Sequence, residues 1–93
     1  MAHKPTFSQV YECLQNHGPA SVTSSRGTSY EVQAEHRENQ REIVGYPQSG
    51  RVVVHEDCWG RDVTCDGTRA GGIFNGSPSI YDWYREKCGL SGP

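Results

Sequence analysis

The chain has 93 residues, 33% of them hydrophobic, and a mean hydropathy of −0.76. That length makes one domain with a small core, burying roughly 60–65% of its unfolded surface. Nine Lys and Arg against eleven Asp and Glu give a net charge of −2, which argues against a binder held to nucleic acid by bulk charge alone. No stretch approaches the ~18 apolar residues of a membrane span. The opening Met-Ala-His-Lys-Pro-Thr has no apolar segment of the secretory kind. A cytoplasmic location is therefore expected, with Cys13, Cys58, Cys65 and Cys88 as reduced thiols.

The first element expected is a helix over about residues 6–17. Thr6 and Gln9 have the spacing of a capping box, and Phe7, Val10, Tyr11 and Leu14 share one apolar face. Gly18 and Pro19 end it. Two β-hairpins are expected over about residues 20–55. The first turns at Ser25-Arg26-Gly27. Its second strand alternates, with Tyr30, Val32 and Ala34 on one face and Glu31, Gln33 and Glu35 on the other. The wholly polar run 35–40 reads as an exposed loop. The second hairpin turns between Pro47 and Gly50. Val52, Val53 and Val54 are apolar on both faces, so that strand is placed centrally. A short helix is expected to open at Glu56 and Asp57, then a glycine-rich loop over about residues 66–76. A last helix is expected over about residues 78–88, with Ser77 as N-cap, Pro78 at its first position and Gly89 as its left-handed end. Its inner face carries Ile80, Trp83, Tyr84 and either Lys87 or Cys88. The fold class is α+β: a single small domain, an antiparallel sheet of about four strands with an N-terminal and a C-terminal helix packed on it.

Several constellations could carry chemistry. Cys13 and His17 lie four apart on one helix face, and His55-x-x-Cys58, with Cys65 beyond, could complete a tetrahedral zinc set. The alternative is that the cysteines are small core residues, and no cofactor is expected. Cys58 or Cys65 with His55 could form a nucleophile–base pair oriented by Glu56 or Asp57. Glu56, Asp57, Asp62 and Asp66 form an acidic cluster that reads as a solvated helix start. Arginine stands beside glycine at Arg26-Gly27, Gly50-Arg51 and Arg69-Ala70-Gly71. Glycine lets a phosphate approach the backbone and the guanidinium forks onto it. Among the aromatics, Trp59 and Tyr81 are the candidates for a partner-binding surface.

The segments from Val22 to Val32 and from Tyr46 to Val52 resemble a small β module of bacterial DNA-associated proteins, similar to modules appended to restriction or HNH-type endonucleases. The likeness spans about a third of the chain. It implies a nucleic-acid-binding accessory role, with Arg26, Ser49 and Arg51 near the phosphate backbone; Arg69 joins them on its own arginine–glycine pattern. No His-Asn-His nuclease core accompanies it. Short chains of this kind also resemble products of mobile gene cassettes and phages. The reading is a non-enzymatic binding module for nucleic acid. The alternatives are a homodimeric protein-interaction accessory protein and a small zinc-stabilised domain.

Overall fold

The computed structural model describes residues 4–61 and 71–89. Helix α1 (Phe7–His17) starts at Thr6 through the expected capping box: Thr6 accepts from the Gln9 amide, and Gln9 returns the bond to the Thr6 amide. Four strands follow: β1 (Ala20–Thr23), β2 (Ser29–Arg37), β3 (Gln40–Tyr46) and β4 (Val52–His55). A 3-10 turn (Glu56–Cys58), a short helix α2 (Gly71–Asn75) and helix α3 (Ile80–Lys87) complete the order. The fold is α+β, with one antiparallel sheet in the order β1-β2-β3-β4.

Strand period divides the residues between two faces. Ala20, Val22, Val32, Ile43 and Val54 point to one face and are buried. Phe7, Val10, Tyr11 and Leu14 of α1 and Ile80, Tyr81 and Trp83 of α3 complete that core. Helix α1 packs on β2 and on α3, and α3 also meets β1. At Gly45 on this face an added Cβ would lie 3.3 Å from Ile73 Cγ2 of α2, so the missing side chain makes room for that helix. The other face holds Glu31, Gln33, Glu35, Glu42, Tyr46 and His55, which lie outside that core cluster.

Several expectations change. The polar run 35–40 is not a loop. Strand β2 continues to Arg37 and β3 begins at Gln40, and Glu38 and Asn39 make the turn with φ of 52° and 62°. Two left-handed central residues form the tight hairpin turn whose twist matches its strands. Strand β4 is at the sheet edge rather than its centre, because four strands joined by consecutive hairpins form a meander. The helix expected from Glu56 is a single 3-10 turn. Part of the glycine-rich segment is helical, at Gly71–Asn75, while residues 66–70 lie outside the described residues.

Helix α3 starts two residues later than expected. Ser79 is the N-cap, exchanging bonds with Asp82, and the Pro78 carbonyl accepts from the Thr23 amide of β1. The C-cap is Cys88, with φ of −128°. Tyr81 joins Ile80 and Trp83 on the inner face, while Lys87 is exposed.

The cysteines are corrected too. Cys13 and Cys88 form a disulfide across 75 residues of sequence, and Cys58 is also disulfide-bonded. The expectation of reduced thiols rested on the N-terminal sequence. It could not register that α1 and α3 lie side by side and bring two distant cysteines together.

Candidate functional site

A meander returns every second turn to the same end of the sheet. The β1–β2 turn with Arg26 and the β3–β4 turn with Ser49 and Arg51 therefore share one end. Two strand spacings separate them, about 10 Å. The first turn is built around Ser24, whose buried hydroxyl accepts from the amides of Arg26 and Thr28. The Ser24 amide donates to the Thr28 carbonyl and the Gly27 amide to Ser24. Gly27 and Gly50 have φ of 88° and 83°, the left-handed region where a side chain is strained. Nothing lies within 4 Å of where their Cβ atoms would be. Arg26, Ser49 and Arg51 are exposed. Arg69 lies outside the described residues.

Arg51 also faces the open side of the sheet. Its guanidinium lies beside the Tyr46 hydroxyl, which donates to the Glu35 carboxylate. The Glu35 bond holds the Tyr46 phenol above its ordinary range, since it is made by the protonated form. Partial burial and the Glu35 charge act the same way, and Arg51 opposes them. Further along the same face, His55 Nε2 of β4 lies 3.0 Å from Glu42 Oε2 of β3. Glu42 is only 7% exposed, stands directly opposite Glu35 in register, and its Oε1 is buried without a hydrogen-bond partner. Sequence reasoning missed this pair. The signal was a glutamate one residue ahead of a buried Ile43-Val44, on a strand bonded on both sides.

His55 thus pairs with Glu42 rather than with Glu56 or Asp57. Glu56 instead meets Arg41 at 3.1 Å, while Arg41 covers the rings of Phe7 and Tyr11. Cys58, being disulfide-bonded, offers no thiolate for a nucleophile pair. Among the described residues the expected zinc set does not assemble either. His55 is on the open face of the sheet, Cys13 and His17 are on the helix packed against the other face, and Cys65 lies outside the described residues. Among the described residues, the thiol and imidazole side chains that do converge are Cys13, His17 and Cys88, whose ligand-type atoms all lie within 4.8 Å of one another. The helical i, i+4 spacing gave the first two; Cys88 arrives from the other end of the chain.

Trp59 and Tyr81 sit in an aromatic cluster. Trp59 is half-buried, packs edge-on against Phe7, Phe74 and Tyr81, and donates through Nε1 to the Pro5 carbonyl at 2.9 Å. Tyr81 is buried, which raises its phenol above the ordinary value. With Lys4, Thr6 and Glu56 the two rings line an open cleft of about 540 Å³, and Lys4 Nζ lies 5.7 Å from the Tyr81 ring centre.

Among the described residues, no helix is long and apolar enough to cross a membrane. No family model, curated protein or solved structure matches this chain.

Proposed function

We propose that this protein is a non-enzymatic binding module that meets nucleic-acid phosphates with the turn end of its sheet. The carrying observation is the meander order, which sets the two arginine–glycine turns side by side at one end. Arg26 and Arg51 are the phosphate contacts, and Ser49 and the open backbone at Gly27 and Gly50 give a phosphate room to approach. With two such contacts on an acidic chain, binding is weak and lost as salt rises. The slope of log affinity against log salt on duplex DNA is about −1.8. Filter binding or fluorescence anisotropy at low salt, on duplex and single-stranded DNA, tests it. Arg26→Ala with Arg51→Ala abolishes binding if the reading is right, and unchanged binding rejects it.

A second reading is self-association along the sheet edge. It is favoured by the edge position of β4, where Val53 is only half-buried on the open face. A mass that doubles with concentration, in a chain without DNA affinity, supports it in place of the first.

Location belongs to the same proposal. A cytoplasmic chain keeps Cys13 and Cys88 as thiols, whereas a persistent disulfide goes with an oxidising compartment. Alkylating the protein inside the cell and counting modified cysteines decides between them.

A further inference from the structure

Cys13 and His17 are four residues apart near the end of α1, so their side chains project from the same face. Cys88, the C-cap of α3, closes the group from the neighbouring helix. Cys13 is buried, Cys88 half-buried and His17 exposed, so the cluster runs from the core to solvent. The disulfide occupies both sulfurs and leaves the imidazole beside them without a role in the fold described above.

We propose that reduction of the Cys13–Cys88 bond converts this cluster into a site for one thiophilic divalent metal ion, with zinc the best fit. A dithiol reductant supplies two electrons and two protons. Its own sulfurs become a disulfide, and Cys13 and Cys88 become thiols. On metal binding the two thiols release their protons and coordinate as thiolates, with His17 adding a neutral imidazole. Two thiolates on one tetrahedral zinc stand about 3.8 Å apart, and a thiolate and an imidazole nitrogen about 3.6 Å. The nitrogen already lies within 4.8 Å of both sulfurs, so the reduced pair needs only to part while the imidazole closes by an ångström or so. A set of two cysteines and one histidine leaves the fourth position to water or an outside ligand. That position falls on the solvent side, where His17 is exposed.

The site differs from a disulfide-only role in what His17 does. The full chain carrying Cys58→Ser and Cys65→Ser is reduced with a phosphine and titrated with cobalt(II), then zinc. The expected result is one metal per chain, with thiolate-to-cobalt charge-transfer absorption that zinc displaces and that the oxidised chain never shows. Adding His17→Ala is expected to weaken binding by more than about tenfold, the low end of what even an outer-sphere change costs. A reduced chain that is folded by circular dichroism yet shows no such absorption overturns the proposal, as does equal affinity with and without His17. If the serine background fails to fold, the reduced wild-type chain is titrated beside His17→Ala and Cys13→Ser. Loss of one thiolate-bound metal in Cys13→Ser, with binding at least about tenfold weaker in His17→Ala, supports the site, and metal retained in Cys13→Ser or unchanged affinity in His17→Ala rejects it.

Discussion

The two faces of this sheet are made by the same strands and handle burial in opposite ways. On the covered face, Ile43 and its neighbours meet α1, α2 and α3 in one continuous apolar core. On the open face, Val44 is equally buried but stands outside that core. In register and along the strand its neighbours there are Gln33, Val53, Glu42 and Tyr46. One face excludes water with helices; the other does so with a thin layer of long polar side chains tied to one another. Stability is therefore concentrated on the first face, and among the described residues the buried side-chain atom without a hydrogen-bond partner, Glu42 Oε1, lies on the second.

The largest expected effect removes the tie that holds the helices on the covered face. Cys13→Ala with Cys88→Ala opens a closed loop of 75 residues' separation. On a chain-entropy basis this costs about 4 kcal/mol, read as a lowered denaturation midpoint. Next comes a contrast between adjacent residues. Ile43→Ala leaves a cavity in the helix-covered core and costs about 3 kcal/mol. Val44→Ala, under side chains that can settle into the gap, costs about 1–2 kcal/mol. Equal losses in urea titrations would erase the distinction between the faces. On the open face alone, His55→Ala removes the partner of Glu42 Oε2 and leaves a buried carboxylate wholly unpaired. A loss of about 1–3 kcal/mol is expected, and little or none in a Glu42→Leu background.

The smallest effect is a pH dependence at the start of α3. Bonds from the Ser79 backbone, helped by Arg85, hold the Asp82 carboxyl below its usual range. Its folded pKa is below the unfolded one, so its contribution is present at neutral pH. That contribution fades as pH falls below about 4, through the folded value. Acid titration of Asp82→Asn beside the parent chain should show a shallower fall in the variant, and parallel curves would remove Asp82 from the account.

What could be read from the sequence was local. Thr6 and Gln9 announce the start of α1 because a capping box needs only one turn of chain, and the alternation from Tyr30 to Glu35 announces a strand with one wet face. What could not be read required neighbours. The end of β2 is polar on both faces, with His36 and Arg37 exposed, so it reads as a loop until its pairing with β3 is known. Ser77-Pro78 and Ser79-x-x-Asp82 are both plausible helix starts, and the bond from Thr23 to Pro78 occupies the first pair. The site was legible as residue types at turns; that the two arginine turns share an end follows from strand order. The convergence of Cys88 on Cys13 and His17 follows from helix packing. Neither is encoded in spacing.

The cystine between α1 and α3 also sets how the molecule would carry mechanical load. A pull applied to the chain ahead of Cys13 and behind Cys88 runs through one covalent bond and bypasses all four strands, so the sheet stays unstressed while the bond is intact. Once it is cut, the same pull enters the hairpins one after another from the two edges, β1 and β4. The protein then yields by unzipping where before it held like a closed clasp.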